Sequence, residues 1–399
     1  MDPRLDSMPT VRRWHHLFRY PCMTDELMDA TTSPRVTIKN LAQPRLRRCP
    51  LNIDTIDWRR ARLLGAGTDG CVYRVHFGDQ GPFALKLFWI PDILLEYPEY
   101  SAVHRECQNA ALLQMLRASV DQAAAAAEAG ITGGTPNGPT VPPLVDPNPV
   151  DFFTASNNLF SFSEEVRHNH QVRAAENKPP PSGLVPVMSM PRFVQCYGWL
   201  PCNVHELMKK MPRRIRSYGF HVDRKTYRCF DEARTDFIGI VYEYIHSNDN
   251  DNSDDSDGSQ SEEQWRQTTI SPTTAPSEKV TAPVARRHNT RSSTRQTGHG
   301  AAPAAEEHVS GPDEVAHARQ AAEAARDAKH RERVSAVADF LWLAGFDFCC
   351  QPLARNWKNG VLLDHSEIIG AYSAYWDRCS KNTKWLLDWL LTPSDGRLC

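Results

Sequence analysis

A chain of 399 residues can hold one large domain or two ordinary ones, and 29 prolines with a mean hydropathy of −0.52 point to long stretches outside any packed core. The formal net charge of −2 excludes a whole-molecule field that would gather nucleic acid or an acidic membrane. The 11 cysteines include no C-x-x-C pair and no zinc-type spacing, the N-terminus has no apolar signal core, and no apolar run reaches bilayer length; we expect a reducing, intracellular setting without a membrane partner.

In chain order, residues 1–56 are proline-punctuated, with a basic "RLRR" at 45–48, and are expected to form a loosely ordered arm. Residues 57–117 begin the ordered part: "CVYRVHF" and "PFALKLF" read as strands joined through "GDQG" as a hairpin. The run "YSAVHRECQNAALLQML" that follows repeats Val103, Cys107, Ala110 and Leu113 near helical spacing. Residues 118–187 are rich in alanine, glycine and proline and are expected to be a disordered insertion. Order returns over 188–246 with the strand-like "RFVQCYGWL" and "FIGIVYEYI". Between these lies a basic cluster (Lys209, Lys210, Arg213, Arg214, Arg216), read as a solvated loop with at most a weak, salt-sensitive nucleic-acid contact.

A second disordered insertion is expected over 247–312, acidic in "SNDNDNSDDSDGSQSEE" and basic in "ARRHNTRSSTR". Residues 313–399 open on an alanine-rich helix whose buried stripe is Val334, Val337, Ala338 and Leu341, stopped at Gly345. The chain closes with "RNWKNGVLLDHS" and a segment, "KWLLDWLL", that places Trp385 and Trp389 one helical turn apart for core packing.

The chemistry lies in "LLGAGTDGCVYRV". Gly65, Gly67 and Gly70 match G-x-G-x-x-G, but a dinucleotide fold needs a helix after the last glycine, and here a strand turns back as a hairpin. The other mechanical use of this spacing is the kinase glycine-rich loop, folded over ATP phosphates. That reading demands Val72 after the last glycine, then Ala84 and Lys86 on one face of the next strand, then a helical carboxylate, Glu106; all are present. Val72 and Ala84 would sandwich adenine and Lys86 would reach the phosphates. Tyr242 takes the gatekeeper place, and the backbone of Glu243 and Tyr244 would meet the adenine edge.

The catalytic end is altered. Asn356 fits the loop asparagine and Asp364 the magnesium-binding aspartate, but His365 and Ser366 stand where Phe-Gly is usual. Counting back from Asn356 puts Cys349, Cys350 and Gln351 at the His-Arg-Asp positions. A glutamine amide cannot hold the acceptor's proton, so no catalytic base is assigned; Asp347 would serve only in a shifted loop. The segment after Asp364 is short for a helical peptide platform.

These stretches, with "HREC", "VQCYGWL" and "GIVYEYI", resemble the kinase-like subunit family of the fungal Sim (silencing-in-the-middle) kinetochore complex. The resemblance implies a truncated kinase domain with long insertions, a nuclear location and kinetochore subunits as protein partners. The expected fold is therefore α+β and protein-kinase-like: a five-stranded N-lobe sheet and a shortened helical C-lobe. The expected function is a pseudokinase-type interaction module holding ATP and Mg2+ without efficient transfer. The alternative is an atypical active phosphotransferase acting on a small molecule or protein.

Overall fold

The computed structural model describes residues 21–29, 33–67, 69–88, 102–130, 139–179, 181–216, 236–246, 312–348, 354–370, 387–388 and 390–391. Its main unit comprises Met1–Asp255 and Asp327–Cys399. The second unit, Ser256–Arg326, is described only over 312–326, which are helical. The expected insertion at 247–312 lies outside the described residues up to 311, as do Trp385, Trp389, Cys349, Cys350 and Gln351.

The fold is α+β around one large mixed sheet. Its strands are β1 (Met23–Leu27), β2 (Leu46–Arg48), β3 (Arg62–Ala66), β4 (Gly70–Phe77), β5 (Gln80–Phe88), β8 (Cys196–Asn203) and β9 (Asp236–Glu243). Short pairs form elsewhere: β6 (Leu144–Val145) with β7 (Val185–Pro186), β10 (Phe346–Phe348) with β13 (Ile368–Gly370), and β11 (Trp357–Lys358) with β12 (Val361–Leu362). The helices are α1 (Ile38–Ala42), α2 (Ala102–Glu128), α3 (Phe152–Phe160), α4 (Glu164–Ala175), α5 (Val204–Lys210) and α6 (Pro312–Leu343).

Strand order in the large sheet is β1-β2-β8-β9-β5-β4-β3. The five expected strands are there, in antiparallel contact from β3 to β8. The sheet has seven strands rather than five, because the N-terminal arm adds β2 parallel to β8 and β1 parallel to β2. Over its described residues, 21–29 and 33–56, this corrects the loose arm expected over 1–56. Pro21, Pro44 and Pro50 flank the strands instead of interrupting them, and apolar Cys22, Leu46 and Cys49 are buried. Trp199 Nε1 fixes the added edge by donating to the Thr24 carbonyl at 2.8 Å.

Period-2 alternation gives the sheet two buried faces. Tyr73, Val75, Phe83, Leu85, Leu87, Leu200 and Val241 pack on one side with Trp58 and, from α5, Leu207. Phe88, Ile240, Tyr242 and Cys196 pack on the other against Val103, Cys107 and Ala110 of α2, three of the four stripe positions expected for that helix.

The expected disorder over 118–187 is also corrected. Helix α2 runs on to Glu128, and α3 and α4 follow within the interval; residues 131–138 and 180 lie outside the described set. Val145, Leu159 and Phe162 share a core with the second half of α2 and with Val334, Val337 and Leu341 of α6. Local chemistry makes the helices: Asp151 caps α3 by accepting from Thr154 N at 2.9 Å, and Ser163 caps α4 with Glu164 and Glu165 in its first turn. Polar ties then replace apolar density. Asn158 Nδ2 donates to Asp146 O and Leu343 O, each at 2.8 Å, while its Oδ1 accepts from Asp146 N. Composition sees proline and alanine; it does not see a buried polar network.

Helix α6 buries its expected stripe and stops at Gly345, whose φ of +87° suits glycine and where a Cβ would meet Ala155 O at 2.3 Å.

Candidate functional site

The alternation that buries Leu85 and Leu87 turns Ala84, Lys86 and Phe88 toward α2. Lys86 therefore leaves the sheet under that helix, and Glu106 in its second turn meets it, Nζ to Oε2 at 2.8 Å. The same ammonium donates to Asp364 Oδ1 at 2.9 Å. Three residues that the sequence separates widely thus form one cluster: Lys86 is 8% exposed and Glu106 0%.

Their charges set one another. Burial alone would pull the Lys86 pKa down, but the Asp364 and Glu106 carboxylates reverse this and hold it above the ordinary lysine value. Burial, helped by the Asp364 carboxylate, pushes Glu106 up to about 8 against the pull of Lys86. Burial also opposes the Asp364 charge, yet Lys86 and Ser366 overcome it and hold that carboxyl well below the usual range. The result is one ammonium shared by two carboxyls, of which Asp364 ionises far more readily than Glu106.

Helix α2 also holds the segment after Asp364. Asp364 caps the short turn that follows it, its Oδ1 accepting from Ser366 N at 3.0 Å and Ser366 Oγ at 2.6 Å. Glu106 Oε2 accepts from Ser366 N at 3.2 Å, and Tyr242 donates to Glu106 Oε1 at 2.7 Å. Asn109 Nδ2 donates to His365 O at 2.6 Å and to Ile368 O at 2.7 Å, and Arg105 donates to Ser366 O at 3.1 Å. Asn109 is a site member that sequence reasoning missed; Tyr242 and Ser366 were placed at the site, as gatekeeper and in the altered triplet, without their contacts to Glu106 and Asp364. The only signal for Asn109 was a polar residue three positions after Glu106, on the same helical face.

His365 is buried against Tyr242, ring centroids 5.5 Å apart and nearly perpendicular. Among the described residues neither ring nitrogen has a hydrogen-bond partner, and burial pulls its pKa down to about 4, so the imidazole is neutral. His365→Phe should fit the same space without the two orphaned nitrogens and stabilise the fold by about 2 kcal/mol in urea unfolding at pH 7. A base with a depressed folded pKa loses stability as pH falls from its ordinary 6.5 toward the folded value of about 4. The advantage of phenylalanine should therefore grow between pH 7 and pH 5; an unchanged or smaller gain at pH 5 would contradict the buried neutral imidazole.

The glycine-rich turn joins β3 to β4, closed by Gly67 N donating to Gly70 O at 2.8 Å. A Cβ at Gly70 would lie 2.1 Å from Leu87 O, so packing of β4 on β5 already requires that glycine. Gly65 and Gly67 have nothing within 4 Å of an added Cβ. Val72 pairs with Lys86, and Ala84 lies two residues before Lys86 on β5, so all three face the cleft side of the sheet.

At the end of β9 the expectation changes. The Glu243 N–H donates to Gln195 O at 2.9 Å, and its carboxylate pairs with Arg192 at 2.6 Å, so that N–H is not open to a ligand edge. The Tyr244 ring lies against the Arg74 guanidinium at 5.1 Å and the Lys358 ammonium at 5.3 Å. Asn356 sits just before β11, its carbonyl accepting from Leu363 N at 2.8 Å. The β11–β12 turn is Asn359-Gly360, with φ of 52° and 77°, the two-residue hairpin turn that needs positive φ twice.

Asp347 pairs with Ile369 across β10 and β13, and its Oδ1 accepts from Phe348 N at 2.8 Å. In the basic cluster, Lys209 pairs with Glu206, Lys210 pairs with Asp54, Arg214 donates to Arg59 O, and Arg216 ties Met208 O and Met211 O. Those side chains brace α5 and its flank. Among the described residues no group of three His, Cys, Asp or Glu side chains forms a metal cluster, and no helix is long and apolar enough to cross a membrane. Comparison with protein-family models, with curated proteins and with solved structures finds no match to this chain.

Proposed function

We propose that this chain is a kinase-like module that acts through interaction rather than phosphoryl transfer. The observation that carries the reading is Lys86 Nζ held between Glu106 and Asp364 at 2.8 and 2.9 Å. A kinase-type cleft needs a strand lysine paired to a helix glutamate, with the metal-binding aspartate beside them. Here all three stand under a strand that follows a glycine-rich hairpin. ATP is the ligand class this supports; Asn356 and Asp364 would hold Mg2+, which would neutralise phosphate charge there.

Transfer fails at Gln351, which takes the place of the proton-accepting aspartate; general-base help is worth about 10²–10⁴-fold. The resemblance to the Sim-complex family supports a nuclear assembly, with kinetochore subunits as the partners. Incubation of the full chain with γ-labelled ATP and magnesium should release or transfer no label above buffer. Turnover that disappears in Gly67→Asp would overturn the reading in favour of an active phosphotransferase.

A further inference from the structure

We propose that Tyr244 fills the place of a purine base in this cleft, so that the resting protein accepts the phosphate end of a nucleotide and admits the base only when Tyr244 swings out. The proposal rests on the kinase-like reading above and names what its cleft selects.

The placement follows from strand register. Arg74 lies two residues after Val72 on β4 and pairs with Ala84, so it projects from the face that carries Val72, Ala84 and Lys86. That face is the roof of the cleft. Lys358 lies on β11, two residues after Asn356, and belongs to the floor. One aromatic ring, Tyr244, meets both cations, at 5.1 and 5.3 Å from its centroid. It thus bridges roof and floor at the point where the chain leaves β9, beside Ala84, the strand partner of Arg74. Cations attracted to its π-system hold it there.

One backbone donor of the base edge is committed as well. The Glu243 N–H is spent on Gln195 O, and Arg192 clamps the Glu243 carboxylate. Asn359 Nδ2 donates to His246 O at 3.0 Å, and the His246 ring stands 4.9 Å from that of Tyr244, which pins the connection to the floor hairpin. At the back, the Tyr242 hydroxyl is bound to Glu106. The phosphate end is different: an added Cβ at Gly65 or Gly67 meets nothing within 4 Å, and Lys86 supplies a cation. The ligand class is a nucleoside di- or triphosphate gripped by its phosphates, with the base excluded. Tyr244 is half-buried, so one side-chain rotation can carry its ring toward solvent.

The test is a saturation-transfer NMR titration of the full chain with ADP and magnesium. Tyr244→Ala should bind ADP at least tenfold more tightly than wild type, with saturation reaching the adenine protons. Wild type should show it on the ribose alone. If Tyr244→Ala fails to fold, the Arg74→Ala/Lys358→Ala double variant, which frees the ring without removing it, should show the same gain. Equal affinity with adenine saturated in wild type would overturn the plug while leaving the kinase-like reading in place. No binding of ADP by wild type or either variant would overturn both.

Discussion

Arg167→Met should cost about 3 kcal/mol in urea unfolding, among the largest effects of any single substitution in this protein. The Arg167 side chain is 0% exposed, and its donors reach four neutral acceptors: Nε to Val141 O at 2.8 Å, one terminal nitrogen to Ser119 Oγ at 3.1 Å and Gln122 Oε1 at 2.8 Å, the other to Pro139 O at 2.8 Å. Burial lowers its pKa to about 10, with the Glu164 carboxylate opposing the shift. Methionine fills the volume and removes a costly buried charge, but takes from the Val141 and Pro139 carbonyls the donor each now has. Lysine offers one ammonium where a planar fork served both sides, and should cost about 2 kcal/mol. A loss below about 0.5 kcal/mol for methionine would mean that the 139–179 segment is not part of the folding core.

Lys86→Met should cost about 3 kcal/mol at about pH 9 and less at about pH 6, because without the ammonium Glu106 must keep its proton in the fold at a pH where the wild-type carboxyl gives it up. The sign follows from Glu106. Its folded pKa, about 8, lies above the ordinary 4.5, so its contribution is fully present below 4.5 and is lost as pH rises through about 8. Asp364 has the opposite sense: its folded pKa is depressed, so its contribution is present above the ordinary 3.8 and is lost as pH falls below that. Removing Lys86 takes away the ammonium that both carboxyls face. Glu106→Gln in the Lys86→Met background should recover about half of the loss at about pH 9, since the amide needs no proton to stay neutral in the fold. Equal costs at the two pH values would show that Glu106 does not exchange a proton in this range.

The site was more legible than the scaffold. Gly65, Gly67, Val72, Ala84, Lys86 and Glu106 stand at fixed offsets within two strands and one helix, so local spacing placed them and the structure brings Lys86 and Glu106 together. Asp364 came from the same reasoning across 278 positions, and the ion pair joins it to Lys86. For Glu243 the sequence could not show that its N–H already has a partner, Gln195 O, because a backbone donor reveals nothing in sequence about its acceptor. Tyr244 was read for its backbone, while its ring makes the contacts seen here. The 118–187 interval was misread for a related reason. Hydrophobic periodicity finds apolar stripes, and this interval is ordered through Arg167, Asn158, Ser119 and two capped helices, whose polar groups look like solvent-facing residues until their partners are known. Likewise the prolines of the N-terminal arm mask two short strands that need β8 to exist at all.

The central claim is that the cluster under β5 is a phosphate site, and the melting midpoint of wild type and Gly67→Asp with rising ADP and magnesium tests it most directly. An added Cβ at Gly67 meets nothing within 4 Å, so aspartate there should leave the unliganded midpoint unchanged while repelling phosphate. The account predicts a saturable rise in wild type, about 1.4 kcal/mol at ten times Kd, that is absent in Gly67→Asp. An equal rise in both proteins, or none in wild type and none in Tyr244→Ala, would contradict it.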